Sequence, residues 1–407
     1  MGLMMSMEDM GVRTVDLERP VQAAFINDDL VGALRSSDRS DLSGSTHAFY
    51  HYPARFSPVL ARAVIERFSS PGDWVMDPFM GGGTSIIEGL GLGRKMVGVD
   101  INALAHFVTE VRTTPLTDSD KLAIRKWAAS AARNARRECE PIPTVVKNMP
   151  PAVCNFVSGL LKKSDRLKGK RRRTFARCVL LRLGQWALDG REESSLRRAT
   201  LIERLPALTE LMLGGMDEFV TKCGDVGLTK RDILRSRRLI FGSSVGIDRN
   251  PLFSRGKIKP SLVFTSPPYP QVHVLYHRWQ YRGRRETAAP YWIAQVDDGY
   301  FESHYTGGSR SPSGERKYFQ MITDVFKSVH GLLRPDALVV QLLGFADAAS
   351  QLPMYLAAMK DAGYSYCKPP ENVAALLRRS VPNRKWYARV QESTIAPSEY
   401  LLVHRPG

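Results

Sequence analysis

The sequence predicts an α/β fold, a doubly wound and mostly parallel sheet with a helical insertion. Ser57 as N-cap and a following apolar stripe predict a helix over residues 58–68. Residues 74–76 predict a short buried strand, which a glycine-rich loop and an apolar helical pattern follow. Residues 96–99 predict the next strand, ending at Asp100. A strand, a helix and a strand this close together form a parallel βαβ unit.

The same patterns divide the chain into an arm, an α/β domain and an insertion. Residues 1–45 are mixed and polar and predict an N-terminal arm. Residues 116–238 carry long helical patterns with almost no strand signal, which predicts a mainly helical insertion. Residues 46–115 and 239–407 together predict the α/β domain. Its later strands are expected at 239–241, 262–264, 337–343 and 400–403. Longer helices are expected at 122–137, 175–188 and 318–333.

The charge balance predicts a polyanionic partner. The chain has 407 residues, with 58 Lys and Arg against 41 Asp and Glu, and a formal net charge of +17. Nucleic acid is the simplest partner for such an excess, although an anionic membrane surface satisfies it too. No stretch approaches ~18 uninterrupted apolar residues, so no membrane-spanning segment is expected.

The cysteines indicate a reducing compartment. There are five, widely spaced and without a Cys-x-x-Cys pair. Such a set predicts neither a disulfide framework nor a cysteine-rich zinc site, and the cytoplasm is the expected location. The histidine spacings predict no metal site either.

The first motif is a glycine-rich loop between a strand and a helix, Asp77-Pro78-Phe79-Met80-Gly81-Gly82-Gly83-Thr84. Glycines there let the backbone approach a ligand and present free N–H groups at the helix N-terminus. Asp100 ends the next strand, where an acid can accept hydrogen bonds from a ribose. The loop departs from the Gly-x-Gly-x-x-Gly fingerprint, which disfavours a nicotinamide or flavin cofactor. A tight turn without a ligand is the alternative interpretation.

The second motif follows an apolar strand and is Thr265-Ser266-Pro267-Pro268-Tyr269-Pro270. Two successive prolines fix the backbone and lack N–H groups, which leaves a rigid, acceptor-rich corner where α/β folds place ligands. Ser266 adds a hydroxyl, and Tyr269 adds a ring that can stack on a base. These residues suit the binding of a planar amino group through its hydrogens, although a Ser-Pro-Pro-Tyr sequence taken alone is more often a plain loop.

Together the two motifs resemble those of the S-adenosylmethionine-dependent amino-methyltransferases of DNA. The glycine loop is similar to the family's cofactor loop, Asp-Pro-Phe-x-Gly-Ser/Gly-Gly-Thr, and the second motif is similar to its catalytic loop. The resemblance covers residues 47–115 and 239–404 and implies a Rossmann-like methyltransferase fold. Members with Ser before Pro-Pro-Tyr typically methylate N4 of cytosine, whereas Asp or Asn there often goes with N6 of adenine.

The resemblance also implies where S-adenosylmethionine binds. The tract His51–Phe56 is similar to the family segment that holds the methionine end, and Phe241–Ser244 lies where the family has a Gly-Asp-x segment near the adenine. Ser243 replaces the usual Asp there, a departure from the family's adenine contact. The implied cofactor-binding residues are Tyr52, Pro53, Ala54, Arg55, Phe56, Asp77, Pro78, Phe79, Gly81, Gly82, Gly83, Thr84, Asp100, Ile101, Asn102, Ser243, Ser244 and Thr265.

The implied reaction is direct transfer of a methyl group from a sulfonium to a neutral amine. Ser266, Pro267, Pro268 and Tyr269 are the implied catalytic residues. The Ser266 side chain and the Pro267 carbonyl would accept the amino hydrogens, and in-line positioning can contribute roughly 7–11 kcal/mol. No cysteine lies beside the motif, and no metal is predicted. The interpretation requires Gly81 and Pro267 to meet at one edge of the sheet.

Two basic segments are candidates for binding nucleic acid. One is Lys168–Arg173 in the insertion, where the family class with this order of motifs has its target-recognition region. The other, residues 273–285, interleaves basic and aromatic side chains that suit phosphates and an unstacked strand. A solvated surface is the alternative for both, with Trp279 anchored in the core. The candidate nucleic-acid-binding residues are Lys168, Lys170, Arg171, Arg172, Arg173, Tyr276, Arg278, Arg282, Arg284 and Arg285.

The predicted function is that of a DNA (cytosine-N4) methyltransferase, which acts on a flipped-out base in double-stranded DNA with S-adenosylmethionine as cofactor. By resemblance, its context is a restriction–modification system. An adenine-N6 DNA methyltransferase and an RNA base-amine methyltransferase are alternatives within the same chemistry. A catalytically inactive nucleic-acid-binding protein on the same fold is the non-enzyme alternative, and cofactor binding discriminates between these readings.

Overall fold

The computed structural model describes most of the predicted α/β domain and of the insertion. The described residues are 14–16, 30, 32–33, 44–52, 57–134, 146, 148–189, 198–254, 256–270, 273–274, 279–281, 285–297, 305–306, 311–345, 347–367, 376–380 and 398–407. The description is limited to the backbone at 14–16, 131–134, 273–274, 305–306, 376–380 and 398.

Among these residues, nine strands form one central sheet. They are β1 (Thr14–Asp16), β2 (Trp74–Asp77), β3 (Lys95–Asp100), β4 (Arg237–Phe241), β5 (Leu262–Thr265), β10 (Leu338–Gly344), β11 (Tyr364–Tyr366), β12 (Leu376–Ser380) and β13 (Ser398–Pro406). The strand order is β1-β12-β13-β10-β5-β2-β3-β4, and β11 also pairs with β13. Two small ribbons join β6 (His273–Val274) to β9 (Tyr305–Thr306) and β7 (Trp279–Tyr281) to β8 (Arg285–Thr287).

The central part of this sheet is parallel. β10, β5, β2, β3 and β4 pair in parallel, whereas β13 runs antiparallel to β10, β11 and β12. The predicted α/β fold with a mostly parallel sheet is therefore confirmed. The short strand β1 pairs with β12 in parallel, so part of the segment predicted as an arm belongs to the edge of the sheet.

Helices cover both faces of the sheet. They are α1 (Pro58–Phe68), α2 (Thr84–Gly91), α3 (Ala103–Arg112), α4 (Asp118–Asn134), α5 (Pro151–Asp165), α6 (Lys170–Leu188), α7 (Arg198–Asp225), α8 (Lys230–Arg235), α9 (Ala289–Ala294), α10 (Pro312–His330) and α11 (Ala348–Asp361). Successive side chains of a strand point to opposite faces. Accordingly Val75 packs into the core with α1 to α9, and Met76 packs into a second core with α10 and α11.

The helices between β3 and β4 do not form a core of their own. Phe156 and Phe175 from α5 and α6 belong to the same buried cluster as Ile86 from α2 and Leu104 from α3. The described residues of the segment predicted as an insertion are mainly helical and pack as a layer of the α/β body.

The helix and strand boundaries around β2 follow the sequence pattern closely. The predicted helix at 58–68 is α1, and the predicted strands at 74–76 and 96–99 are β2 and β3. The predicted helix at 175–188 begins five residues earlier, at Lys170, so that most of the basic run forms its first turn. None of the described helices has the length and apolar composition needed to cross a membrane.

Candidate active site

The glycine loop is held in a narrow space between two other segments. Gly83 adopts φ +77° and caps α2 at the carboxyl end of β2. A Cβ on Gly83 would lie 2.5 Å from the Thr109 side chain, and one on Gly82 would lie 2.7 Å from Cβ of Tyr52. Real Cβ atoms do not approach so closely, so only glycine fits at these two positions. The contact also places Tyr52 against the glycine loop, and its contact with a cofactor stays a prediction.

Asp100 joins the end of β3 to the same loop. Its Oδ2 accepts a 2.8 Å hydrogen bond from the Gly81 N–H, and its Oδ1 accepts one of 2.8 Å from the Asn102 N–H. These bonds orient the carboxylate at the carboxyl end of β3, where the sequence predicts a ribose contact. Phe241 pairs with Asp100 from β4, and its side chain is 55% exposed. A carboxylate beside an open aromatic surface fits the ribose and the adenine of S-adenosylmethionine.

The two motifs meet at one edge of the sheet. β2 and β5 are parallel neighbours, and Thr265 Oγ1 donates a 2.7 Å hydrogen bond to Asp77 Oδ1 across 188 residues of chain. The same carboxyl accepts hydrogen bonds from the Phe79 N–H, at 3.1 Å, and from the Ser85 hydroxyl. The predicted meeting of the two loops is confirmed. Asp77 and Thr265 are fully buried, so their side chains bond to each other beneath the cleft.

Burial shifts the pKa of Asp77 away from its ordinary value. Desolvation raises its pKa to about 6, against the opposing effect of the hydrogen bonds from Ser85, Thr265 and the Phe79 N–H. A carboxyl with a raised folded-state pKa contributes stability below its ordinary pKa near 4, and this contribution is lost as the pH rises through about 6.

We therefore expect Asp77→Asn to remove one source of the pH dependence of the free energy of unfolding. Between pH 4 and pH 7, the free energy of unfolding of the wild type should fall relative to that of the variant by up to about 3 kcal/mol. Urea unfolding of both proteins at several pH values measures this, and every other titrating group cancels in the difference. A difference that stays constant with pH would contradict a raised pKa at Asp77.

The Ser-Pro-Pro-Tyr loop, predicted to be catalytic, is fixed by contacts that leave part of it open. Tyr318 donates a 2.8 Å hydrogen bond to the Pro268 carbonyl, and the Tyr269 hydroxyl donates one of 2.9 Å to buried Glu399. A Cβ on Gly344, the last residue of β10, would lie 2.7 Å from the Tyr269 ring. Within the described residues, the hydroxyl of half-buried Ser266 forms no hydrogen bond.

Sequence reasoning missed Arg112, which connects the glycine loop to the preceding segment. Its fully buried guanidinium donates to the carbonyl oxygens of Gly82 and Tyr50, and to that of His47 at 3.0 Å. The one signal in the sequence is a charged residue that continues the apolar face of α3, which gives no hint of its partners.

A buried carboxylate, Glu88 of α2, ties the same region to the helical layer. It bonds to His47 at 2.9 Å and to Lys222 of α7 at 2.7 Å. Burial favours a raised pKa at Glu88, but the hydrogen bond from His47 and the charge of Lys222 outweigh it and hold the pKa low. His47 therefore has a structural partner, and no cluster of metal ligands occurs among the described residues.

Some of the predicted cofactor-binding residues use their side chains for hydrogen bonds within the protein. Ser244 donates a 2.6 Å hydrogen bond to the Pro78 carbonyl and is buried, whereas Ser243 is exposed. Asn102 caps α3 and donates a 2.8 Å hydrogen bond to the Tyr291 hydroxyl. Pro78, Phe79, Gly81, Gly82, Gly83 and Thr84 belong to the glycine loop itself, and Ile101 follows Asp100 at the end of β3. The predicted contacts that lie outside the described residues are Pro53, Ala54, Arg55, Phe56, Tyr276, Arg278, Arg282 and Arg284.

The basic run lies away from the catalytic loop and is partly neutralised. Lys170 forms a 2.7 Å ion pair with Glu110, and Arg172 forms one of 2.6 Å with Asp120. Cations in the first turn oppose the helix dipole, and these carboxylates offset that cost. Arg173 donates a hydrogen bond to a backbone carbonyl, whereas Lys168 and Arg171 are exposed. Arg285 of β8 is exposed as well. Their contact with nucleic acid stays a prediction.

The run lies near the amino end of the parallel strands. Lys170 and Arg237, the first residue of β4, both bond to Glu110, whereas the last residue of β4 pairs with Asp100 at the opposite edge. Trp279, by contrast, is buried and donates a 3.0 Å hydrogen bond to the Tyr50 hydroxyl, which supports the interpretation of this residue as a core anchor.

Comparison with known proteins identifies the part of the chain that carries the glycine loop. A family model described as DNA methylase, of the N6/N4 type, matches residues 31–109. Over these residues the chain is therefore similar to the N4/N6 DNA methyltransferases, as the resemblance implied. A type II methyltransferase, M.MvaI of Kocuria varians, is 40% identical over 77 residues, which are 18% of this chain and 17% of that protein. The match confirms S-adenosylmethionine as the predicted cofactor.

Two further similarities extend over more of the chain. A tRNA (guanine(10)-N2)-dimethyltransferase of Methanothermobacter thermautotrophicus is 29% identical over 168 residues, 39% of this chain and 48% of that protein. The solved structure of a geranyl diphosphate C-methyltransferase from Streptomyces coelicolor aligns with 94% of this chain at 10% identity, with a TM-score of 0.34. The chain spans less than half the length of the curated relatives that it matches here.

Proposed function

We propose that this protein methylates the exocyclic N4 amine of a flipped-out cytosine in double-stranded DNA. One observation carries the proposal: the hydrogen bond between Thr265 and Asp77 ties a Ser-Pro-Pro-Tyr loop to the cofactor loop of a DNA methylase segment. Two loops from distant parts of the chain thus share the carboxyl edge of neighbouring strands. Open α/β sheets bind their ligands at such edges.

The acceptors of the catalytic loop suit a weakly nucleophilic amine. The lone pair of an arylamine is delocalised into its ring, so the nitrogen must be drawn toward a tetrahedral geometry before it attacks. The Ser266 hydroxyl and the Pro267 carbonyl can accept the two amino hydrogens, because the bond from Tyr318 engages the Pro268 carbonyl instead. This division of roles leaves adjacent acceptors for one amino group.

Tyr269 is held in a fixed orientation for contact with a base. Its hydroxyl is bonded to Glu399 and its ring lies against Gly344, so little conformational freedom remains to be lost when a base stacks on it. Base–aromatic stacking contributes about 1–3 kcal/mol, which offsets part of the few kcal/mol that base flipping costs.

The proposed step is a direct methyl transfer. S-adenosylmethionine supplies an activated methyl group on a sulfonium sulfur. The amine nitrogen would take this methyl group while the sulfur kept the bonding electron pair, and the methylated amine would pass one proton to water. The chain's own contribution is to orient the amine with Ser266 and Pro267 and to hold the base with Tyr269. In-line positioning of this kind is worth roughly 7–11 kcal/mol.

The proposal is tested by the identity of the methylated nucleoside. The purified protein is incubated with labelled cofactor and either duplex DNA or total RNA, and the digested polymer is analysed by mass. We expect label in N4-methylcytosine from DNA. Label in N6-methyladenine would move the assignment to the alternative target base, and absence of any cofactor binding in calorimetry would favour an inactive nucleic-acid-binding protein.

An RNA base amine is the second candidate substrate. The supporting observation is the similarity to the tRNA (guanine(10)-N2)-dimethyltransferase, which spans more of this chain than the match to M.MvaI. The RNA arm of the same experiment decides between them, since a methylated guanosine from RNA would contradict the DNA proposal. A restriction–modification context follows from the type II relative and is part of the proposal.

A further inference from the structure

A basic and aromatic cluster lies on helices α6 and α7, and we define it as Arg182, Trp186 and Arg204. The Arg204 guanidinium lies over the Trp186 ring, 4.9 Å from its centroid. Arg182 precedes Trp186 by four residues on α6, so both lie on one face of that helix. We propose that this cluster binds a backbone phosphate of the DNA beside the active site, an inference that rests on the proposed function.

The cluster is adjacent to the active site through residues 50–52. The Gln185 side chain accepts a 2.8 Å hydrogen bond from the His51 N–H and donates one of 2.8 Å to the His51 carbonyl. Tyr52 then packs against the glycine loop at Gly81 and Gly82. The last turns of α6 therefore lie at the same edge of the sheet as the cofactor loop.

The two arginines of the cluster form a cationic site without an internal counter-ion. Within the described residues, neither Arg182 nor Arg204 forms an ion pair, although burial and the neighbouring charge of Arg204 lower the pKa of half-buried Arg182. Two like charges held together raise the free energy of the site, and an anion between them would relieve the repulsion. In the basic run, by contrast, Lys170 and Arg172 already have carboxylate partners.

The chemistry of the cluster matches a phosphate diester. Guanidinium groups present a planar fork of donors that fits two phosphate oxygens, and stacking on Trp186 orients the fork of Arg204 before binding. DNA brings such phosphates to any surface that surrounds a flipped base. The net charge of +17 supplies the general attraction, and the cluster supplies a defined contact.

The test compares two double variants that each remove two positive charges. One is Arg182→Gln with Arg204→Gln, and the matched control is Lys257→Gln with Lys259→Gln, two exposed residues before the amino end of β5, opposite the edge that carries the two loops. Fluorescence anisotropy with a labelled duplex gives Kd at KCl concentrations from ~50 to ~200 mM. Each lost phosphate contact lowers the slope of log Kd against log salt by about 0.9, so we expect the first variant to lose about 1 to 2 and the control to keep the wild-type slope.

Calorimetric affinity for S-adenosylmethionine separates the possible failures. This affinity should be equal in the wild type and in both double variants. The single variant Arg204→Gln changes an exposed residue, so it should fold normally, and its salt slope should fall by about 1. An unchanged slope in both Arg204 variants, or a loss confined to the control, overturns the cluster and leaves the proposed function standing. A wild type that binds the cofactor but prefers an RNA hairpin to duplex DNA also overturns it. A wild type without cofactor binding refutes the proposed function itself.

Discussion

Replacing Ser266 by alanine should lower kcat by about 100-fold or more and leave the Kd for S-adenosylmethionine nearly unchanged. The hydroxyl is a proposed acceptor for the amine in the transition state, and loss of one such preorganised hydrogen bond costs about 10²–10³ in rate. The side chain is half-buried and has no hydrogen bond to another described residue, so its removal should not disturb the fold. Single-turnover methylation and cofactor calorimetry measure the two effects.

Tyr269 offers a matched pair of controls for the same loop. Tyr269→Phe keeps the ring and removes the hydroxyl that donates to Glu399, so we expect a small loss of kcat. Tyr269→Ala removes the stacking surface, which should raise the apparent KM for DNA and lower kcat. Undiminished methylation in both Ser266→Ala and Tyr269→Ala would refute the catalytic role of this loop.

Replacing Arg112 by alanine should destabilise the protein by about 3–5 kcal/mol, because it leaves several buried acceptors without a donor. Three carbonyl oxygens, of His47, Tyr50 and Gly82, lose their donor in a site without solvent. A buried unsatisfied polar group costs about 1–3 kcal/mol. Because Gly82 belongs to the cofactor loop, affinity for S-adenosylmethionine should fall as well.

Arg125 provides the control for this variant. Its guanidinium pairs with Glu210 at 2.9 Å, but both side chains are largely exposed, and surface pairs contribute at most about 1 kcal/mol. Arg125→Ala should therefore unfold at nearly the wild-type urea concentration, well above that of Arg112→Ala. Equal stability of the two variants would show that Arg112 does not support the loop.

Local patterns predicted the elements that carry the two motifs. Ser57 and Pro58 mark the start of α1, and the apolar run before Asp77 marks β2, because caps and short buried strands are encoded within a few neighbouring residues. The family resemblance then identified the cofactor loop. The matched segment supports the family over residues 31–109, while the target base stays a proposal because Ser266 lies outside that segment.

Contacts between distant residues could not be predicted in the same way. Nothing near Arg172 in the sequence indicates that Asp120, on another helix, neutralises it. The same holds for Glu88, whose partners His47 and Lys222 come from segments 41 and 134 residues away. A run of charges therefore appeared as a candidate binding surface, although part of it is internally paired.

The sequence by itself determined the βαβ unit and the two loops, since each depends on residue types at short fixed spacings, and the family resemblance of those loops implied the cofactor. Only the tertiary structure decided that Thr265 bonds to Asp77, that Arg112 supports Gly82, and that Arg204 stacks on Trp186 near Arg182, with no ion pair from either arginine to another described residue. The physical reason is that burial and pairing depend on which distant segments pack together. No spacing along the chain encodes the free energy of those contacts.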